Sequence, residues 1–393
     1  MATPPGIMAS PASIASSMQP ASEVSTPPSV TRLSSSARLR MPAEWEPHAA
    51  TWIAWPHNAS DWPGKFASIP WVYAEIARKI TPGETLRVLV DSEADGARAR
   101  RILKRAGVDL ARVEFLHIPT NRSWTRDYGP VFVRTHPSAG TEPGTAIIWF
   151  QFNGWAKYPD WKLDNEVAPR VAKLCGLPLE NAEVEGECFV LEGGSIDVNG
   201  DGALLTTEEC LLDRSTQPRN ARLGRAEVEA ALHRFVGART VLWLGEGIAG
   251  DDTHGHVDDV CRFTSRSTVV LCFEEDPRDA NYRPLEENRE RLQGMRLAEG
   301  AKLEIVPLPM PSPLYHNGQR LPASYANFYV ANAAVLVPTF NDPKDRSALG
   351  ILSELFPDRP VVGIHAVDLV WGLGTLHCLT QQQPKNVVTS DPT

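Results

Sequence analysis

The chain has 393 residues, of which 42% are hydrophobic and 22% are charged. This length and composition allow a large buried core, and they exclude a disordered protein or a small disulfide-stapled scaffold. The formal net charge of −9 argues against a nucleic-acid partner, which would require clustered Lys and Arg, and is compatible with a cationic small molecule.

Residues 1–40 are rich in Ser, Pro and Ala and show no apolar periodicity, which predicts a disordered or leader segment. Residues 387–393 form a short C-terminal tail. The chain has no uninterrupted apolar run long enough to cross a membrane. Its six cysteines include no C-x-x-C pair, which favours free thiols in a reducing cytoplasm over a thiolate zinc site.

From Met41 onward, strand-like and helix-like segments alternate, which predicts an α/β fold. The predicted strands are Leu86–Val90, Val113–Ile118, Val131–Arg134, Ala146–Phe152, Val241–Leu244, Val269–Phe273, Leu303–Val306, Ala334–Pro338 and Val361–Ile364. The predicted helices are 95–106, 165–174, 224–236, 284–298 and 345–356. Hairpins are expected over Ser195–Thr207, Val257–Phe273 and Tyr325–Phe340.

Polar residues stand before these strands at regular intervals. Asp127, Glu192, His256 and Asn327 recur roughly every 65 residues, and Cys378 follows at a shorter interval. Each would lie at the polar end of a strand–strand–helix–strand unit, and five such units could close as a ring with all five residues facing one end. Because the units share little sequence, the spacing by itself also fits ordinary α/β alternation.

The strongest local signal is the run Gly372-Leu-Gly-Thr-Leu-His-Cys378-Leu-Thr-Gln-Gln-Gln-Pro384. Glycines before a cysteine let the backbone approach a ligand closely, and a thiolate placed there would be a nucleophile. The alternative for any single cysteine is a small buried apolar residue, and the other five cysteines keep that interpretation.

Three further segments carry candidate chemistry. His256 and Asp258 are two residues apart, which on a strand puts an imidazole and a carboxylate on one face as an acid/base unit. Asp127 follows Trp124 before a turn and could hold a cation beside a flat aromatic wall. Glu192 precedes two glycines at the start of a strand. Each segment could instead be an ordinary surface loop.

Two other interpretations of the same residues are weaker. His254, His256 and Asp258 could ligate a metal, which would make the chain a metal-dependent hydrolase. Gly245–Gly250 matches G-x-G-x-x-G, but acids and histidines follow it where a dinucleotide fingerprint would open a helix. No cofactor is therefore expected.

Together the segments supply a Cys, a His and several acids, the groups needed to attack a guanidinium, which is planar and pairs with carboxylates. The segments Met41–His48, Trp124–Pro130, Phe152–Trp155, Glu192–Ser195, Gly255–Asp258 and His377–Pro384 resemble agmatine deiminases and, more broadly, the bacterial family that includes Porphyromonas-type peptidylarginine deiminases. The resemblance implies a single catalytic domain over residues 41–386 with the guanidine-modifying fold, a five-bladed α/β propeller of ββαβ units. Assembly as a homo-oligomer stays open.

The resemblance also implies residue roles. Cys378 matches the nucleophile and His256 the general acid/base. Asp127 and Asp258 match the pair that holds the guanidinium, and Glu192 matches the acid that supports the histidine. Trp124 and Asn327 match neighbours that contact the substrate.

The implied reaction is hydrolysis of agmatine to N-carbamoylputrescine and ammonia through a covalent thiouronium, without a cofactor. Tyr128 and the run Gly372-Leu-Gly-Thr375 depart from the familiar agmatine deiminase pattern. Peptidylarginine or another guanidine therefore stays open as the substrate. Two other possibilities are an amidinotransferase, which would pass the amidino group to an amine, and an inactive binding protein on the same fold.

Overall fold

The structure, a computed structural model, describes residues 38–136, 144–297 and 300–386. Strands and helices alternate along these residues, so the predicted α/β class is confirmed. Residues 1–37 of the expected leader and the tail 387–393 lie outside the described residues. Arg38–Arg40, which composition assigned to the leader, is a strand paired antiparallel with Val131–His136. The Arg40 guanidinium also binds the Glu46 carboxylate.

Within the described residues, five sheets repeat one pattern: two antiparallel strands, of which the second pairs in parallel with a third strand. Four sheets are built from Val131–His136, Gly144–Trp149 and Leu179–Asn181; Asp197–Val198, Ala203–Thr207 and Thr240–Leu244; Cys261–Phe263, Thr268–Phe273 and Glu304–Pro309; and Tyr329–Val330, Val335–Thr339 and Val361–His365. Two small hairpins lie over residues 183–188 and 315–320.

The fifth sheet joins the two ends of the described chain. Its strand order is Gln381–Pro384, His48–Ala54, Thr85–Val90 and Val113–His117. The C-terminal strand pairs antiparallel with His48–Ala54, which in turn pairs in parallel with Thr85–Val90. The segment that follows Cys378 is therefore held by residues from the opposite end of the chain.

A helix connects the second and third strands of each sheet. These helices are Ile69–Ile80, Val167–Cys175, Arg225–Val236, Tyr282–Gly294 and Lys344–Leu355, and Glu93–Arg105 leads to the fourth strand of the fifth sheet. Each buries apolar residues at helical spacing, as Tyr73, Ile76 and Ile80 do. The predicted helix 284–298 ends at Gly294.

The three expected hairpins are present, and the Asn199–Gly202 turn shows why. The Asn199 Oδ1 accepts the amides of Asp201 and Ala203 at 2.8 and 2.9 Å, and Gly200 and Gly202 adopt φ of +71° and +87°. Glycine takes these angles without steric cost, so the turn residues fix the strand register.

Short helical turns precede the first strands of four sheets and contact one another. They are Thr125–Tyr128, Gly193–Ser195, Val257–Asp259 and Leu376–Leu379. Polar side chains from four sheets are thereby brought to one end of the fold. Across the described residues, no helix combines the length and apolar character needed to span a bilayer.

Candidate active site

The contacting turns place the candidate residues side by side in the interior. Asp127 and Cys378 lie within their turns, Glu192 and His256 stand immediately before theirs, and Asp258 follows His256. All five side chains are buried, with exposures of 6% or less. Residues as far apart in sequence as Asp127 and Cys378 therefore share one low-dielectric region, where charges interact strongly.

Gly194 is the point at which three of these groups converge. A Cβ on Gly194 would lie 2.6 Å from His256 Nδ1, 2.8 Å from Asp127 Oδ1 and 3.1 Å from Asp258 Oδ2. The Gly194 amide also donates to Asp127 Oδ1 at 3.2 Å. Its φ is not in the left-handed region, so glycine is required here by the close approach of side chains and not by backbone conformation.

The His256 ring lies between two carboxylates. Its Nδ1 is 3.7 Å from Asp127 Oδ1 and its Nε2 is 3.7 Å from Glu192 Oε2. Burial by itself would lower the pKa of His256, but the charge of Asp127, with contributions from Cys210 and Glu192, holds that pKa well above its usual value. Neither ring nitrogen has a hydrogen-bond partner among the described residues, so neither is committed to a fixed donor or acceptor of the protein.

The two flanking carboxylates have different electrostatic environments. Arg219 Nε donates to Glu192 at 3.0 and 3.3 Å, and this cation outweighs burial and lowers the pKa of Glu192 to about 2. Burial raises the pKa of Asp127 to about 7, with Asp258 and Glu192 adding to the rise and His256 opposing it. Glu192 thus stays ionised at all working pH values, whereas Asp127 titrates near neutrality.

Cys378 is held by Asn327. The Asn327 Nδ2 donates to Cys378 Sγ at 3.1 Å, and its Oδ1 accepts the His377 amide at 3.0 Å. Burial raises the pKa of the Cys378 thiol well above its usual range, and the nearby carboxylates, led by Asp258, raise it further. The sulfur also lies 3.8 Å from Asp258 Oδ2. A thiolate here needs a compensating cation.

A cavity of about 170 Å³ opens onto this group. Cys378, Asp127 and Trp124 are among its lining residues, and Trp124 packs against Trp62 with ring centroids 5.2 Å apart. The remaining walls are aromatic, acidic, basic and glycine-rich, and include Asp61, Arg122, Trp155, Tyr158, Asp252, Trp371, Gly372 and Gly374. The mixture of flat apolar walls and carboxylates suits a flat organic cation.

The expected residues divide into two groups by their position relative to the cavity. Trp124, Asp127 and Cys378 line it, whereas Glu192, His256, Asp258 and Asn327 are buried and are not among its lining residues, with Asn327 in contact with the Cys378 sulfur. Sequence reasoning missed Arg219, whose pairing with Glu192 leaves no local signal. It also missed Trp155, whose Nε1 donates to Asp127 Oδ2 at 2.9 Å, although Trp155 stands in a motif used for the resemblance.

The structure does not assemble the metal triad of His254, His256 and Asp258. His254 Nε2 lies 3.2 Å from Asp213 and its Nδ1 lies 3.4 Å from Glu209, so its ring faces different acids from those beside His256. A different set of donors, Glu192, Cys210 and His256, does cluster within the described residues. Both oxygens of Glu192 in that cluster already accept from Arg219.

Known proteins resemble this chain over most of its length. Residues 40–384 match the model of the Porphyromonas-type peptidyl-arginine deiminase family. The agmatine deiminase of Medicago truncatula is 38% identical over 375 residues, covering 88% of this chain and 96% of that protein. A solved structure of the agmatine deiminase of Enterococcus faecalis has a TM-score of 0.78 at 31% identity and covers 89% of this chain and 97% of that one. A putative arginine deiminase from Porphyromonas gingivalis has a TM-score of 0.78 at 36% identity, with 88% and 98% covered.

Proposed function

Because the chain belongs to the Porphyromonas-type peptidyl-arginine deiminase family, we propose that it hydrolyses agmatine to N-carbamoylputrescine and ammonia, with Cys378 as the nucleophile. The observation that carries the proposal is that Cys378 and Asp127 line one cavity, while His256 and Asp258 lie buried directly against them. Relatives that cover nearly the same length are agmatine deiminases.

Asp127 and Asp258 would hold the guanidinium. Asp258 Oδ1 is buried and accepts no hydrogen bond among the described residues, which leaves one oxygen free for a substrate N–H. A guanidinium beside Asp127 supplies the cation that this buried acid lacks, so binding would ionise Asp127 fully. The same positive charge would lower the pKa of the Cys378 thiol, so the substrate would generate its own nucleophile.

The reaction would then proceed in two stages. The Cys378 thiolate attacks the guanidinium carbon and forms a C–S bond, and His256 gives its proton to the nitrogen that departs as ammonia. In the resulting S-alkylthiouronium, His256 removes a proton from water, whose oxygen attacks the same carbon. The C–S bond breaks, the thiolate returns, and the hydroxyl proton passes to the solvent as the C=O bond forms, so the product carries a ureido group. Glu192, kept ionised by Arg219, would stabilise the imidazolium of His256 in both stages.

The walls of the cavity favour a substrate with a second positive charge. Asp61 and Asp252 both line it. Asp61 Oδ1 pairs with Arg122 at 2.6 Å, and its buried Oδ2 has no partner among the described residues. Burial, opposed by Arg122, raises the pKa of Asp61 to about 6. An ammonium would satisfy such an acid, and agmatine carries one.

Free arginine, or a peptidylarginine at the C-terminus of its peptide, is the second candidate, and Arg122 is the observation that favours it. The guanidinium of Arg122 reaches the cavity wall and could pair with an α-carboxylate. A free carboxylate would, however, lie among Asp61, Asp252 and Asp127, whose charges repel it. Agmatine lacks that carboxylate and is therefore the better fit.

The five sheets would be the blades of a closed ring around the site, which would make residues 41–386 one catalytic domain. The shared strand pattern supports this arrangement, as do the contacts among the turns that begin the blades and the pairing of the two chain ends in the fifth sheet. We also propose a cytoplasmic location, because the mechanism requires Cys378 as a free thiol, which a reducing compartment maintains.

Colorimetric detection of ureido products tests the proposal. Agmatine, arginine and a peptidylarginine would be supplied without an acceptor amine, alongside Cys378→Ala and the matched control Cys188→Ala, in which an exposed thiol is removed. Agmatine should give ammonia and ureido product in equal amounts with the wild type and the control. A preference for another guanidine would overturn the substrate, turnover by Cys378→Ala would overturn the mechanism, and a requirement for an acceptor amine would indicate an amidinotransferase.

A further inference from the structure

Three buried polar side chains form a hydrogen-bonded row that leads from Asp258 away from the cavity. Asp258 Oδ2 accepts from His377 Nδ1 at 2.6 Å, and His377 Nε2 donates to Glu44 Oε2 at 2.8 Å. All three side chains are at most 5% exposed. Both contacts are short enough for charge-assisted hydrogen bonds.

Glu44 is the side chain at the far end of this hydrogen-bonded row, and several donors hold it in place. Its carboxylate accepts from Arg126 Nη2 at 3.2 Å, from the Val330 amide at 2.8 Å, and lies 3.1 Å from Arg262 Nη2. Burial would raise the pKa of Glu44, but Arg262, His377 and Arg126 together hold it well below its usual value. Glu44 is therefore an ionised and immobile acceptor.

His377 is consequently bound between two carboxylates. Burial by itself would raise the pKa of Asp258, and the hydrogen bond and charge of His377 reverse that effect and lower it. An ionised carboxylate accepts hydrogen bonds and cannot donate them, so each ring nitrogen of His377 is placed to donate one. The ring therefore bridges Asp258 and Glu44.

From this arrangement we propose that His377 is a positioning residue for the deimination reaction. Glu44 fixes the His377 ring, and the ring holds Asp258 by its Oδ2, so that the Asp258 Oδ1 is presented to the substrate guanidinium. The inference rests on the proposed function and adds two residues that touch neither the cavity nor the reacting carbon. It explains why one buried oxygen of Asp258 is satisfied and the other has no partner among the described residues.

Two amide substitutions separate the two ends of the His377 ring. The side-chain nitrogen of Asn occupies nearly the position of Nδ1, so His377→Asn retains a donor toward Asp258. The side-chain nitrogen of Gln reaches nearly the position of Nε2, so His377→Gln retains the contact with Glu44 and loses the one with Asp258. The two variants are otherwise closely matched in polarity, and thermal unfolding would verify that both fold.

The expected result is a difference in KM for agmatine. His377→Gln should raise KM roughly 10- to 100-fold, because a charged hydrogen bond to the binding carboxylate is lost, whereas His377→Asn should stay within about fivefold of the wild type. The kcat should change much less than KM, since Asp258 holds substrate and transition state alike. Calorimetric affinities for agmatine in a Cys378→Ser background should show the same order.

Equal losses in the two variants, or a loss confined to kcat, would overturn the inference. If neither variant folds, ¹⁵N NMR of the histidines in the wild-type protein decides the matter, because each His377 ring nitrogen should be engaged in a hydrogen bond, and a ring nitrogen without one would refute the proposal. Absence of ureido product from agmatine with the wild type would instead remove the proposed function, and the NMR result would still report on the two hydrogen bonds of His377.

Discussion

Replacing Gly194 by alanine should impair catalysis although no reacting group is removed. The new methyl group would come within 2.6 Å of His256 Nδ1 and 2.8 Å of Asp127 Oδ1, distances that real side chains do not tolerate. Neither neighbour can retreat freely, since Asp127 is fixed by Trp155 and His256 is 1% exposed. Both must therefore shift by a substantial fraction of an ångström.

The magnitude follows from these displacements. A shift approaching 1 Å in a catalytic group can cost roughly 100-fold in rate, and inserting one methyl group into a packed interior typically costs about 1–3 kcal/mol of stability. We therefore expect kcat/KM for agmatine to fall about 100-fold and the Tm to decrease in Gly194→Ala.

Gly350→Ala is the matched control. Gly350 lies in the helix Lys344–Leu355, and a Cβ there meets nothing within 4 Å. Alanine in a helix is favoured over glycine by about 1 kcal/mol, so this variant should keep full activity and gain slightly in stability. If Gly194→Ala retained kcat/KM within about threefold of the wild type, the inferred convergence of His256 and Asp127 at this glycine would be wrong.

Three further outcomes are expected. Cys378→Ser should abolish ureido formation while the protein still unfolds at the wild-type Tm and still binds agmatine by calorimetry; residual steady turnover would contradict its role as the nucleophile. Arg219→Met should lower the free energy of unfolding by about 3–5 kcal/mol in denaturant titrations, because Glu192 is left buried without its cation. The double variant with Glu192→Gln should recover part of the loss. A loss below about 1 kcal/mol would contradict a stabilising ion pair between Arg219 and Glu192. Finally, kcat/KM for agmatine should decrease as pH falls below about 7, because burial raises the pKa of Asp127 to about 7 and the protonated acid no longer pairs with a guanidinium; a flat profile between about pH 8 and pH 5.5 would be inconsistent with that.

The sequence predicted regular elements well where apolar runs mark buried strands. Thr268–Phe273 and Thr85–Val90 each begin one residue before their predicted start. The helix Ile69–Ile80 was missed because Pro70 and Trp71 interrupt the usual pattern, yet proline is tolerated in the first turn, where its missing amide has no partner to lose. Nothing local could show that the strands repeat one pairing pattern, since pairing is tertiary.

The residues of the candidate site can likewise be divided into those that a local motif marks and those that only tertiary contacts reveal. Cys378 and Asp127 stand in short motifs whose glycines and aromatics mark a ligand, so local sequence was sufficient to select them. Arg219 and Glu44 act through contacts with residues 27 and 333 positions away, which only the folded chain reveals. Asn327 was selected for its spacing, and the structure shows that it holds the Cys378 sulfur in place of lining the cavity.

The pairing of Gln381–Pro384 with His48–Ala54 has a consequence for biosynthesis. The strand His48–Ala54 leaves the ribosome long before the strand Gln381–Pro384 that pairs with it. A growing polypeptide therefore cannot assemble the candidate site until Cys378 and the strand after it have been translated, and messages truncated before codon 381 would yield inert protein. Contacts between such distant positions also make folding slow.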